Sequence, residues 1–346
     1  MKLLRIGITH GDINGISYEL MIRLFQDPEI LELFTPVIFG SAKIAAETAR
    51  HLELQPLPFN VIKDINDDIQ DGRINLLPVC GDAEPDLEFG QQTEAALKAE
   101  ANSLTAALEA IRDRHIDAIV TLPGHLDNDE ESHALSDFIS RALGIQQGAF
   151  DWVLNGNIRT LLLHPFDVST ELGEGLAAEA FHNDVTNIYH GLRQDFGMIR
   201  PRIAVVSPLE KLRGDLAELH ELGITAFGPF TGVPFAEGQW QNHYDGCLFL
   251  NDEETLHKVL NQQDADFSVG YISGLPIVLT YPLQGISYDI AGKGLANECS
   301  LRQAFFAAID IYRKRQSYRH ATHNPLEKQW VPRGRDDFKL DLTQDV

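Results

Sequence analysis

Cysteine is scarce. The chain has three in 346 residues, Cys80, Cys247 and Cys299, far apart and in no C-x-x-C spacing, which excludes a disulfide framework and a cysteine-built zinc cluster. That usage fits a reducing compartment, and the expectation is a cytoplasmic protein. No apolar run reaches the roughly 18 residues of a membrane span, and the first residues do not read as a secretory signal. Basic residues are also few, 28 Lys and Arg against 51 Asp and Glu, for a formal net charge of −23. The densest basic stretch, Arg313, Lys314, Arg315 and Arg319, reads as a helix terminus complementing its dipole. Nucleic acid and membranes are therefore not expected as partners. There is no internal repeat and no low-complexity tract.

What is present is a chain with 44% hydrophobic residues, enough for one large core or two medium ones. Short apolar runs alternate with segments of helical period, the pattern of an α/β protein with parallel strands and crossover helices. Strands are expected near Leu4–Thr9, Pro36–Gly40, Phe59–Lys63, Ile116–Leu122, Trp152–Asn155, Arg159–His164, Ile203–Ser207, Gly246–Leu250 and Leu275–Thr280. The clearest helix is Thr93–Arg114, and a second, Leu301–Tyr312, is apolar almost all round and so belongs in a buried position or at a subunit contact. A polar, acidic break at His125–His133 marks a change of domain. The expected division is 1–126 with 285–318, then 127–284, then an extension over 319–346 wrapped on the surface or on a partner.

The stretch T-H-G-D-I-N-G-I-S-Y-E-L, Thr9 to Leu20, follows the first strand. Its Gly11-x-x-x-Gly15 spacing is neither a dinucleotide fingerprint nor a Walker A loop. It reads as a strand-to-helix turn in which Asp12 or Asn14 caps the helix. At the carboxyl edge of an open α/β sheet it also stands where ligands bind. Of the 13 histidines, His164 is the most suggestive metal ligand, ending an apolar strand. His10 and His125 occupy similar strand-end turns, while His115, His190, His220 and His257 read as surface groups. No H-E-x-x-H and no G-x-S-x-G elbow occurs.

Taken together, I-G-I-T-H-G-D-I-N-G-I-S-Y-E-L, Q-D-G-R-I-N-L-L, I-D-A-I-V-T-L-P, R-I-A-V-V-S-P and G-L-P-I-V-L-T-Y-P-L-Q-G-I-S-Y-D-I-A-G-K-G-L-A-N resemble the 4-hydroxythreonine-4-phosphate dehydrogenase (PdxA) family across nearly the whole chain. The resemblance implies an isocitrate/isopropylmalate dehydrogenase-like two-domain α/β/α fold, a homodimer with a shared cleft, NAD, and a divalent metal assisting decarboxylation after oxidation of a secondary alcohol. It places the nucleotide against Gly11, Asp12, Asn14, Gly15, Gly285, Asp289 and Asn297. It also exposes losses. Of the metal histidines the first falls on His164, but the second falls on Leu209 and the third on Asp252, and an accompanying aspartate becomes Val233. The phosphate-contacting lysine and arginine become Val259 and Leu279, and the family's glycine-histidine-threonine-glutamate reads Ala134-Leu135-Ser136-Asp137. His164 and Asp252 are then the remaining metal candidates, and His164, Asp252 and His125 the catalytic ones. The expectation is a member impaired or inactive in the family reaction. The alternatives are an NAD-dependent oxidoreductase with a rebuilt site, and a non-catalytic subunit pairing as a heterodimer with an active relative.

Overall fold

The computed structural model describes residues 3–66, 69–79, 85–125, 134–145, 148–163 and 174–323. His164, Cys80 and the extension beyond residue 323 lie outside them.

Among the described residues twelve strands form one sheet. In chain order they are β1 (Leu4–Thr9), β2 (Phe34–Gly40), β3 (Phe59–Val61), β4 (Ile74–Pro78), β5 (Ala118–Thr121), β6 (Phe150–Asn155), β7 (Ile158–Leu163), β8 (Ile203–Val206), β9 (Ala226–Phe230), β10 (Gly246–Leu250), β11 (Val269–Ser273) and β12 (Leu279–Pro282). The spatial order is β3-β4-β2-β1-β5-β12-β11-β6-β7-β10-β8-β9. One half of the sheet thus comes from residues 4–121 with the returning β12, and the other from residues 150–273. Strands β1 and β2 carry the near-continuous apolar runs of a parallel sheet covered on both faces; all of β2 is buried.

The sequence pattern placed nine of these strands and missed three, each for a local reason. In β4 the buried Asn75 breaks the short apolar run. Strand β9 carries a Gly-Pro pair that reads as a breaker yet is tolerated at the sheet edge it occupies. In β11, Gly270 interrupts the apolar pattern because the ring of Tyr281 on β12 covers it. The last expected strand begins at Leu279 rather than Leu275.

Helices cover the sheet. The α3 helix (Glu94–Arg112) starts where expected, with the Thr93 hydroxyl accepting from Ala96 N, one of the donors a helix start leaves open. The α9 helix (Cys299–His323) runs eleven residues past Tyr312, buried on one face through Leu301, Ala304, Phe305, Ala308 and Arg315. Phe305 stacks on Phe34 at a centroid distance of 4.6 Å; each ring is fully buried and contributes about 1.5–3 kcal/mol. No helix among the described residues is long and apolar enough to cross a membrane.

Strand direction decides what can meet. Strands β12 and β11, β11 and β6, and β6 and β7 are all antiparallel, so β7, β10 and β8 run opposite to β1, β5 and β12. The carboxyl ends of the two halves therefore lie on opposite edges of the sheet.

Candidate active site

Asp252 follows β10 on one of those edges. It caps the α8 helix (Glu253–Leu260), its Oδ1 accepting from Thr255 N at 3.1 Å. Its Oδ2 lies against Gly232 so closely that a Cβ there would collide with it. Across from it the α7 helix (Gly232–Glu237) presents Val233, which is 44% exposed, and Leu209 packs against the main core. The register pairs Leu250 with Leu163, the residue before His164. Among the described residues no group of three or more His, Cys, Asp or Glu is arranged to hold a metal ion. Asp252, engaged in capping α8, is the described member of the expected pair, and a single capping carboxylate does not by itself hold a divalent ion.

His125 follows β5 and is on the other edge. Five strand spacings separate β5 from β10, about 24 Å at 4.8 Å each. Within one chain, then, His125 and Asp252 do not share a site; His164, the third candidate, lies outside the described residues.

At the β1 and β5 edge the chain is laced together. Thr9 donates to Thr121 across the two strands at 2.6 Å. Gly11 has φ +58°, and a Cβ there would fall 2.5 Å from Leu122 O and closer still to Pro123 O, so only glycine lets the turn lie on the exit of β5. Asp12 N and the Ser17 hydroxyl then both donate to Pro123 O, at 2.9 and 2.7 Å. Gly15 packs against Ile286 in the segment after β12, where a Cβ would be 2.5 Å from Cγ2. Asn14 holds the segment before α3: its Oδ1 accepts from Glu88 N at 2.8 Å, and its Nδ2 donates to Gln91 O and Thr93 Oγ1 at 3.0 and 3.2 Å.

Those contacts converge three side chains. Asp12, fully buried, accepts from Asn14 N at 2.8 Å through Oδ1, as in an Asx turn. Its Oδ2 faces His125 Nε2 at 3.0 Å and accepts the short hydrogen bond of the Tyr288 hydroxyl. The Tyr288 oxygen also lies 2.8 Å from His125 Nε2. The main chain of His125 is held from α3, its N–H donating to Glu100 Oε2 at 3.1 Å, and Gly124 is glycine because the Glu100 carboxylate occupies the space a Cβ would take. Burial, then the bond to Asp12, then the charges of Asp12 and Glu100, hold the Tyr288 phenol well above the ordinary tyrosine range. It stays a donor.

The expected nucleotide contacts divide. Gly11 and Gly15 fill chain-to-chain contacts rather than leaving an open cradle. Asn14 is bonded as above, and Asn297 donates to Asp266 Oδ2 at 2.9 Å and accepts from Cys299 N and Gln284 Nε2. Gly285, with φ +66°, shapes the turn. Asp289 keeps an exposed carboxylate.

Tyr288 and Glu100 escaped the sequence reading. Tyr288 stood inside a quoted family stretch with nothing local to mark it, and Glu100 read as one more polar position on an amphipathic helix. The capping role of Asp12 is also corrected: α1 (Ser17–Phe25) begins at Ile16 with no side-chain cap, and Asp12 turns to His125 instead.

The chain matches the family described as pyridoxal phosphate biosynthetic protein PdxA over residues 32–207 and 210–308. It is 35% identical to a 4-hydroxythreonine-4-phosphate dehydrogenase of Bacteroides thetaiotaomicron, over 98% of this chain and 97% of that one. The enzyme of the same name from a Sulfurihydrogenibium species is 26% identical over 91% of this chain and 100% of its own. Among solved structures, a 4-hydroxythreonine-4-phosphate dehydrogenase from Klebsiella pneumoniae aligns with a TM-score of 0.66 at 18% identity, covering 90% of this chain and 100% of that one. One from Burkholderia phymatum aligns with a TM-score of 0.64 at 21% identity, covering 90% and 99%.

Proposed function

Because the chain belongs to the PdxA family, we propose that it is a cytoplasmic, homodimeric member that keeps the dehydrogenase architecture while the NAD-linked oxidation of 4-phosphohydroxy-L-threonine is absent or severely reduced. One observation carries the reading: the positions where the resemblance puts the phosphate-binding lysine and arginine are now core. Val259 on α8 and Leu279 on β12 are fully buried in hydrophobic clusters, so neither position offers a charge. Each charged hydrogen bond lost removes about 1.5–3 kcal/mol, and two weaken binding by roughly two to four decades. Leu209, packed on the core where an imidazole ligand is expected, adds to this. The division of the chain into 1–126 with 285–318 and 127–284 is part of the same proposal, with β12 at the join, paired to β5 of the first part and β11 of the second.

The test is direct. Purified protein is incubated with 4-phosphohydroxy-L-threonine, NAD and Mg²⁺, Mn²⁺ or Zn²⁺, beside the Bacteroides thetaiotaomicron enzyme as reference. The expected result is no NADH formation, or formation at least about a hundredfold slower, the lower end of the two-to-four-decade loss. NADH production at the reference rate would refute the proposal.

A further inference from the structure

We propose that His125 is a proton-accepting base at the β1–β5–β12 edge, with Asp12 and Tyr288 as its positioning residues, serving a chemistry separate from the family's metal centre. The geometry fixes the tautomer. His125 Nε2 faces Asp12 Oδ2, which can only accept, and the Tyr288 oxygen, whose own proton is already directed to Asp12. Nε2 must therefore carry the proton. The lone pair is left on Nδ1, which has no hydrogen-bond partner among the described residues, on a ring that is 23% exposed. When Nδ1 takes a proton, the imidazolium charge is met by the buried Asp12 carboxylate, already held in place by donors from Asn14 and Tyr288. Reorganisation is small, because Gly11, Gly15 and Glu100 pin the three loops that bring these groups together.

The step is a simple transfer. The O–H bond of a bound hydroxyl or water breaks, the Nδ1–H bond forms, and the electron pair stays on oxygen; the proton then leaves to solvent or returns to the product. The charges facing His125 are Asp12 from the first turn, Glu100 from α3 and the neutral phenol of Tyr288 from the segment after β12. No Lys or Arg among the described residues contacts Asp12, His125 or Tyr288. That surrounding favours an uncharged hydroxyl compound and disfavours a phosphate.

Diethylpyrocarbonate, a neutral electrophile that adds to unprotonated, accessible imidazole nitrogen, tests the assignment on the full chain with peptide mapping. His125 is expected to be carbethoxylated at least as fast as the exposed His220, although most of its ring is covered. Asp12→Asn should slow His125 by about tenfold or more through the wrong tautomer, leaving His220 unchanged. Erythritol should protect His125, and inorganic phosphate at the same concentration should not. Long-range ¹H–¹⁵N spectra of the unmodified protein should show a protonated Nε2 and a bare Nδ1 for His125, a readout that does not depend on the variant folding. A protonated Nδ1, a His125 rate tenfold below that of His220, or a rate indifferent to Asp12→Asn in a folded variant would overturn the base; protection by phosphate, or by neither solute, would overturn the ligand class. None of these readouts depends on whether the family reaction survives.

Discussion

Replacing Arg315 by methionine should cost about 3–5 kcal/mol of stability, the range for breaking a buried ion pair from one side. The guanidinium is 4% exposed and its partner Asp195 1%. It donates to Asp195 at 2.5 and 3.2 Å, to the Tyr271 hydroxyl at 2.9 Å, and to the carbonyls of Leu275 and Ile277 at 2.9 and 2.7 Å. Methionine fills much of the volume but leaves a buried carboxylate with only the Tyr271 hydroxyl as side-chain donor among the described residues. The two released carbonyls push the loss toward the upper end of the range. Since a domain has about 5–15 kcal/mol in all, the variant should unfold at much lower urea, which equilibrium denaturation followed by tryptophan fluorescence will read. The complementary variant is the triple change Arg315→Met, Asp195→Leu and Tyr271→Phe. It removes every charge and the orphaned hydroxyl, and should recover most of the loss, because an apolar replacement of a whole buried ion network is often neutral. A single variant losing under about 1 kcal/mol, or a triple variant as unstable as the sum of its parts, would show that the network is not what joins the α5 helix (Glu174–Phe196), β11 and α9.

Two desolvated groups, buried His10 and half-buried Asp151, give pH dependences of opposite sign. Burial drives His10 down from 6.5 to about 4, against the Gly11 carbonyl and the Asp12 charge; the folded ring stays neutral while the unfolded one takes up a proton, so stability should fall between pH 6.5 and about 4 by about 3 kcal/mol. His10→Gln should lack that component in urea titrations across the window, and an identical pH profile would refute the assignment. Asp151 is raised by burial from 3.8 to about 6, partly offset by the hydrogen bond from Tyr281; its contribution is present below 3.8 and lost as pH rises through about 6. Asp151→Asn should therefore gain on the wild type at pH 8 by up to about 3 kcal/mol, less the solvent screening at a half-buried residue, and show no gain at pH 3.5. Gly15→Ala should cost about 1–3 kcal/mol by overpacking against Ile286. Gly214→Ala, inside the α6 helix (Leu212–Glu221) with nothing within 4 Å of the added methyl, should gain about 0.5–1 kcal/mol; equal melting temperatures for the two variants would contradict the packing argument.

The apolar runs by themselves determined the α/β class and nine of the strands, because a parallel strand covered on both faces leaves a local signature that needs no partner to be seen. The Gly-rich turn after β1 was equally legible as a turn. Its purpose was not. Gly11 answers to carbonyls of Leu122 and Pro123, more than a hundred residues on, and Asp12 meets His125 and Tyr288 only because β1, β5 and β12 lie side by side. That Leu209, Val259 and Leu279 stand where the resemblance implies ligands could be read from the order of residues, whereas the burial of Val259 and Leu279 needed the sheet and helices around them. Tertiary structure alone decided that Asp252 and His125 sit on opposite edges, since the antiparallel steps through β11 and β6 reverse the sheet's direction and no segment's own sequence records how its neighbours run.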